Sequence, residues 1–380
     1  MGYNAIVMAG GEGTRLGPLT GIRPKPNVYV AGKRAVYYVF DGLLAAGVNR
    51  IVVPVQYKSN HITKKMKHEY GKRIELVAVS PDQAVRSEVV GDPEPRFNST
   101  TDCVMKTRSF LEINDGPLII ASADIITNMS VEGLLDAHRQ YARKGAWATI
   151  ASVKIPREQL HRYGVVLKDK DDRVKEFLEK RGNHTTDGEV NASFYVIDQK
   201  LLDFIEGHER MADFGKDVFP SLAKDGKLFS SMFTDAYWSD IGTPEDYLTT
   251  NLRMIDGIKN LESPLVRDEK RHCLIGKDCK LFGDVRDSVI GNDVEVDTHS
   301  TIRNSVLVGG NHIVKTNLSS VIVDNLTSIY GSKVGDGAVV GRSVLIDWGS
   351  EVLPGVKIDP NATVKGKVEV DITIPTKFTF

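Results

Sequence analysis

NAIVMAGGEGTRLGPLTGIRPKPNV, residues 4–28, opens with a short apolar run, Asn4 to Gly10, that ends in glycines. That is the pattern of a buried strand feeding a loop. Gly10, Gly11 and Gly13 let the backbone come close to a ligand and turn its N–H groups toward an anion. No G-K-[ST] closes the loop, so it is not a Walker A motif, and the spacing is not G-x-G-x-x-G. A plain tight turn between strand and helix would use the same glycines. Arg15 and the RPKP at 23–26 shift the balance toward phosphate. Pro24 and Pro26 fix the backbone around Lys25 and are expected to stop a helix there, presenting the lysine rigidly beside the glycines.

Beyond the loop, strand-like and helix-like segments alternate to about residue 250. AVYYVFDGLLAAGV (35–48) has helical spacing and a stop at Gly47, and RIVVPVQY (50–57) reads as the next strand. HITKKMKHEYG (61–71) and SVEGLLDAHRQYARKG (130–145) read as helices, the second with a serine cap and a glycine stop. RIELVAVS (73–80), GPLIIASAD (116–124) and AWATIASVKI (146–155) read as strands. This alternation predicts an α/β domain with a Rossmann-like mixed sheet, covered on both faces. In such sheets ligands sit at the carboxyl ends of the strands, where both the glycine loop and Asp124 fall.

From about residue 265 the helical rhythm stops. CLIGKD, SVIGND, SVLVGG, SVIVDN and AVVGRS place short β-branched runs beside small turn residues. Ile275, Ile290, Leu307 and Ile322 step by 15, 17 and 15 residues, the signature of a parallel β-helix whose coils cannot bury their faces alone. The expected organisation is a first domain over 1–255, a polar linker over 256–270 and a β-helix over 271–380.

The 380 residues carry 49 basic and 50 acidic side chains, a net charge of -1 that gives no electrostatic case for a nucleic-acid partner. Any phosphate contact must be local. Cys103, Cys273 and Cys279 are too widely spaced for a disulfide framework or a zinc site. The N-terminus lacks the basic and apolar regions of a signal peptide, and Ile6 rules out a myristoylation motif at Gly2. No apolar run reaches about 18 residues, so no membrane span is expected, and a cytoplasmic protein is the default.

Asp124, ending IIASAD, and Asp240, in YWSDIGTPEDY, are candidate metal carboxylates. An acid closing a buried strand is costly unless it is paired or ligates a cation, and magnesium is commonly held by one or two carboxylates plus substrate phosphates. Glu179 and Lys180 put an acid beside a base at a strand end, which read alone is a solvated pair. No Ser-His-Asp or G-x-S-x-G arrangement is visible. Catalysis would therefore rest on positioning and charge neutralisation, as phosphoryl-type transfer requires.

GGEGTRLGPLTGIRPKP resembles the N-terminal signature of the sugar-1-phosphate nucleotidyltransferases, the nucleoside-diphosphate-sugar pyrophosphorylases. RYGVV, DRVKEFLEKR, NASFYVI, DFGKDVFP and YWSDIGTPEDYLTTN extend the resemblance along most of the chain. VQYKSNHI, STTDCV and KIPREQLHRYGVV are similar to phrases of the ADP-glucose pyrophosphorylase branch, with mannose-1-phosphate guanylyltransferase next. The resemblance implies attack of a sugar 1-phosphate on the α-phosphate of a nucleoside triphosphate, with Mg²⁺, and a left-handed β-helix at the C-terminus. It implies nucleotide contacts from Ala9, Gly10, Gly11, Gly13, Thr14, Arg15, Thr100 and Asp102. Arg15, Lys25 and Asp124 would be catalytic, and Asp124 and Asp240 would ligate the metal. Gly164, Glu179, Lys180 and Asn191 would hold the sugar phosphate.

Four positions depart from the family pattern: Gly17 where a basic residue is usual, Ser99 and Ala123 where glycine is usual, and Arg181 where proline is usual. VRSEVVGDPEPRFN (85–98) also replaces a short loop. An active enzyme, most simply of ATP and glucose 1-phosphate, is the leading expectation. A guanylyltransferase of mannose 1-phosphate and a non-catalytic regulatory subunit are the alternatives. A homo-oligomer, dimer or tetramer, or a hetero-oligomer with an active homologue, is expected, because β-helix ends expose strand edges. An acyltransferase reading fails on the short β-helix and its scattered His272, His299 and His312.

Overall fold

The computed structural model describes residues 2–11, 13–56, 59–80, 97–111, 116–180, 188–208 and 210–373, the side chains of 59–64 excepted. Arg181 and most of the 85–98 segment lie outside the described residues. Contacts divide the chain into two compact units, residues 1–11 with 39–238 and residues 12–38 with 239–380.

The first unit is built on a nine-stranded mixed sheet. Its strands are β1 Tyr3–Met8, β2 Val48–Pro54, β3 Glu75–Val79, β4 Leu118–Ser122, β5 Ala148–Ile155, β6 Gly164–Lys168, β7 Val174–Glu179, β8 Gly188–Ile197 and β9 Leu228–Met232. β1 lies parallel between β2 and β4, and β3 extends that parallel half. β8 runs antiparallel to β4, β5 and β6, which makes the sheet mixed. The parallel strands are buried runs such as Ala5-Ile6-Val7 and Ile119-Ile120-Ala121, as expected where both faces are covered. The helices are α1 Ala35–Ala45, α2 Ser59–Tyr70, α3 Thr100–Thr107, α4 Val131–Ala142, α5 Gln199–Glu206 and α6 Phe219–Lys224, followed in the second unit by α7 Pro244–Arg253. The Ser130 hydroxyl caps α4 by accepting from Gly133 N at 2.9 Å, and Gly47 adopts φ 79° just beyond α1.

The second unit holds the β-helix, a parallel coil of three sheets of the left-handed class. Each coil supplies one short strand to each sheet, with one side chain pointing inward. The stacked ladders are Ile290–Leu307–Val323–Val340–Ile358, Val296–Ile313–Ile329–Ile346–Val364 and Val285–Ile302–Leu318–Val334–Val352. Every one of these side chains is buried, and each contributes about 1.5–3 kcal/mol relative to exposure. The coil step differs from the sequence reading at one place. Leu307 stacks on Val323, while Ile322 stacks on Val306. Both residues of that pair are buried, so the apolar pattern alone does not fix the register.

The first edge of the coil is capped, because Val266–Asp268 pairs antiparallel with Cys273–Ile275. His272, at φ 52°, joins this region to the short 3-10 turn Met254–Asp256. Its Nδ1 lies 2.8 Å from an Asp287 oxygen and its Nε2 lies 3.1 Å from Asp256. Hydrogen bonding to Asp287 first, and then to Asp256, raises the His272 pKa above its ordinary value. The stabilising charge is therefore fully present below about pH 6.5 and is lost as pH rises through the folded-state value. His272→Gln should remove a melting-temperature advantage of about 1–2 °C at pH 6 and change nothing at pH 8.5, because an exposed pair is weak. Equal shifts at both pH values would contradict this assignment.

Candidate functional site

The register of β1 against β4 pairs Met8 with Ser122, and Ala123 N donates to Met8 O at 3.0 Å. Ala9–Gly10–Gly11 and Asp124 therefore leave the sheet side by side, at the carboxyl ends of adjacent parallel strands. Asp124 accepts from Ser122 Oγ at 2.5 Å, which orients its carboxylate. Gly10 and Gly11 have no positive φ, so the backbone does not call for glycine at either position. A Cβ on either would meet nothing within 4 Å among the described residues. Neither local conformation nor packing against the described residues calls for glycine at these two positions. Glycine there leaves the main chain open to close approach.

Gly13 and Gly17, in the second unit, are glycines for different reasons. Gly13 has φ 70°, and its Cβ would come 2.8 Å from Lys25 Cβ, so the bare backbone lets the lysine stem lie against the loop. Thr14–Thr20 forms a 3-10 segment broken at Gly17, with φ 57° and ψ -125°. That conformation is strained for any side chain, and a Cβ there would lie 3.3 Å from Lys357 Cδ. The absent basic residue at 17 is thus a backbone requirement of this loop. Around Lys25 the chain makes only a single 3-10 turn, Lys25–Asn27, with Pro24 extended before it and Pro26 in its first turn, where the missing proline N–H is unneeded.

Lys25 is buried and pairs with Asp240, Nζ to Oδ1 at 3.1 Å. Gly242 follows in a tight turn whose N–H reaches Asp240 O at 2.7 Å. A Cβ on Gly242 would lie 3.3 Å from both Arg15 Nη2 and Asp240 Oδ2. Arg15, Lys25 and Asp240 therefore converge. Thr14 and Arg15 are exposed, and Arg15 makes no hydrogen bond or ion pair among the described residues.

The other expected contacts gather on β6, β7 and β8. Glu179 pairs across the sheet with Gly164, and a Cβ on Gly164 would come 2.9 Å from Glu179 Oε2. Lys180, just beyond β7, adopts φ 47° and puts Nζ 3.6 Å from the Glu179 carboxylate. Such strained backbone is common at ligand sites. Asn191 sits at an irregularity in β8, where Ser193 N donates to its Oδ1 at 2.9 Å and its Nδ2 donates to Tyr195 Oη at 2.9 Å. Burial pushes the Tyr195 phenol up to about 12, so it stays neutral at working pH.

Sequence reasoning missed two components here. Gly215 lies in a π-helical turn, Phe214–Val218, capped by Asp213, and its Cβ would come 2.7 Å from Glu179 Oε2. The D-x-G of DFGKD was the available signal. Tyr163 and Trp238 meet edge to face at 5.1 Å, and Trp238 Nε1 donates to Ala192 O at 3.1 Å. Thr100 belongs to the same neighbourhood. It donates to Asp213 Oδ2 at 3.1 Å and accepts from Phe214 N at 3.0 Å.

Asp102 has a structural task. Ser99 caps α3 by accepting from Asp102 N, and Asp102 Oδ2 accepts from Asn98 N and Lys106 Nζ. That cap also gives a reason for serine at 99.

Asp124, in the first unit, and Asp240, in the second, each offer hard oxygen donors of the kind magnesium takes. Among the described residues no group of three or more His, Cys, Asp or Glu is placed to hold a metal ion. No helix among the described residues is long and apolar enough to cross a membrane.

Residues 4–257 match the nucleotidyl transferase family. The chain belongs to that family, among the sugar-phosphate nucleotidyltransferases. A glucose-1-phosphate adenylyltransferase of Fervidobacterium nodosum is 29% identical over 87% of this chain and 85% of its own length. One of Geobacter metallireducens is 28% identical over 87% of this chain and 91% of its own. The catalytic subunit beta of a mannose-1-phosphate guanylyltransferase of Drosophila pseudoobscura pseudoobscura is 29% identical over 69% of this chain and 65% of its own.

Proposed function

We propose that the chain transfers an adenylyl group from ATP to glucose 1-phosphate, giving ADP-glucose and pyrophosphate. The observation that carries the reading is the pair Gly10 and Gly11 at a strand end beside Asp124, where an added Cβ would meet nothing within 4 Å among the described residues. Adenine and glucose are favoured because the relatives aligned over 87% of the chain carry that activity in their names. The main-chain N–H groups of Gly10, Gly11 and Gly13 would face the triphosphate, with Ala9 and Thr14 flanking. Thr100 and Asp102 would lie toward the base and ribose.

An oxygen of the sugar phosphate attacks the α-phosphorus, the bond from that phosphorus to the β-phosphate bridging oxygen breaks, and pyrophosphate leaves. Arg15 and Lys25 would neutralise charge growing on the phosphates. Asp124 and Asp240 would be carboxylate ligands of Mg²⁺, which when bound offsets phosphate charge and aligns the reacting groups. Glu179 would accept hydrogens from sugar hydroxyls, Asn191 would add a polar contact, and Lys180 would meet the sugar phosphate above Gly164. A homo-oligomer is part of the proposal and is checked by sedimentation.

Gly215→Ala would push the Glu179 carboxylate aside. It should raise the KM for sugar 1-phosphate about tenfold and leave the KM for NTP unchanged. An unchanged sugar KM would take Glu179 out of the sugar site.

The reading as a whole is tested by pyrophosphate release with four NTPs against glucose, mannose and N-acetylglucosamine 1-phosphates. Preference for ATP with glucose 1-phosphate is expected. Preference for GTP with mannose 1-phosphate would replace the substrates. Nucleotide-sugar binding without turnover would replace the enzyme by a regulatory subunit.

A further inference from the structure

Residues 12–38 belong by their contacts to the same compact unit as the β-helix. One of the links between this segment and the coil is an ion pair across 301 residues of sequence, from Arg23 Nη2 to Asp324 Oδ2 at 2.9 Å. Asp324 is wholly buried and the Arg23 side chain is 12% exposed. A buried ion pair is weak evidence for stability, because desolvating two charges offsets most of their attraction, and its best attested use is to fix a geometry. We infer that Asp324 is a positioning residue for the triphosphate loop: by holding the Arg23 guanidinium, it sets where Lys25 presents its charge. The inference rests on the assignment of that loop to the nucleotide.

Asp324 is itself held from several sides. Its Oδ1 accepts from Asn325 N at 2.8 Å and its backbone N donates to Val340 O at 2.8 Å. Its carbonyl accepts from Nδ2 of the buried Asn311 at 2.7 Å. Burial pushes the Asp324 carboxyl above its ordinary range, and the Arg23 charge works against that push. Carboxylate and guanidinium thus depend on each other. Arg23 also lies over the Tyr29 ring at 5.9 Å, and the carbonyl of Tyr29 accepts from the buried hydroxyl of Tyr247 on α7. Gly21, two residues before Arg23, is pressed against Pro360, whose ring would lie 3.1 Å from a Cβ there.

The path from Arg23 to Lys25 is short and stiff. Only Pro24 intervenes, at φ -72°, and Pro26 follows. With φ fixed at both prolines, few torsions are left to absorb a shift of Arg23 before it reaches Lys25. Lys25 in turn is fitted against Gly13 and paired with Asp240. The β-helix therefore acts as the jig on which the loop's cation is set.

The test compares Asp324→Asn, Arg23→Ala and the double variant in the full-length protein. ATP binding is read by calorimetry, and both KM values are read by pyrophosphate release. Each single variant should weaken ATP binding about tenfold, leave the KM for sugar 1-phosphate within about twofold, and the double variant should be no worse than the poorer single. A merely structural pair would instead lower the active fraction, reducing kcat with both KM values unchanged. That result, or ATP affinity within about twofold of the unaltered protein in both singles, overturns the inference. Should Asp324→Asn fail to fold, Arg23→Ala decides on the same readings. An unaltered protein that binds ATP yet turns over no substrate pair removes the transferase reading and leaves this comparison of ATP affinities intact. An unaltered protein that binds no NTP overturns both.

Discussion

Asp124→Asn should lower pyrophosphate release by roughly a thousandfold while leaving the protein folded, since a carboxylate holding the metal against the α-phosphate supplies several kcal/mol at the transition state. Asparagine keeps the shape, and its side-chain oxygen can still accept from Ser122 Oγ. The strand-end turn does not depend on the charge, because Ala123 N bonds to Met8 O whatever side chain stands at 124. The melting temperature should therefore move by no more than about 2 °C. Raising Mg²⁺ should recover part of the lost rate. A variant with full activity at low Mg²⁺ would remove Asp124 from the reaction.

Lys25→Met is the second large effect. The methionine keeps most of the apolar stem that lies against Gly13 and removes the charge that faces Asp240 at 3.1 Å. Loss of a positioned cation from the triphosphate should cost about 10²–10³ in kcat/KM for NTP, with the sugar 1-phosphate KM unchanged. The variant should also melt several degrees lower, because Asp240, 18% exposed, is left without the lysine charge. Lys25→Arg separates the two effects. It keeps a charge facing Asp240, and with it most of the stability, but its planar fork replaces the compact ammonium, so activity should return only in part. Full activity in Lys25→Met would refute a role for Lys25 at the phosphates.

Much of the sheet was legible because buried parallel strands and amphipathic helices write different periods. GPLIIASAD ends as a strand at Ser122, just before Asp124, and SVEGLLDAHRQYA starts at its serine cap. The β-helix was legible from recurring β-branched runs, but not the register of its fourth coil, where Ile322 and Val323 are both buried.

The loop was legible as a candidate phosphate site, but its conformation was not. Its letters do not tell that Gly10 and Gly11 are bare, that Gly13 makes room for Lys25, or that Gly17 is needed for its backbone. Those distinctions depend on φ and on neighbours far along the chain. The Arg23–Asp324 pair and the seating of Glu179 between Gly164 and Gly215 are likewise tertiary facts, without local pattern.

The departures at 17 and 99 bear on competence. Read from sequence, they depart from the family pattern and leave a non-catalytic regulatory subunit as an alternative. In the folded chain Gly17 satisfies a left-handed backbone and Ser99 caps a helix. Both have structural reasons, which favours the active enzyme over the regulatory subunit.

The central claim is a transfer of the α-phosphoryl nucleotide, and the most direct measurement follows that atom. The protein is incubated with Mg²⁺, glucose 1-phosphate and ATP labelled at the α-phosphorus, and the products are separated. Label appearing in ADP-glucose, with unlabelled pyrophosphate released in equal amount and both formed roughly a thousandfold more slowly by Asp124→Asn, is the predicted result. Label remaining in ATP, or leaving only as AMP by hydrolysis, would contradict it.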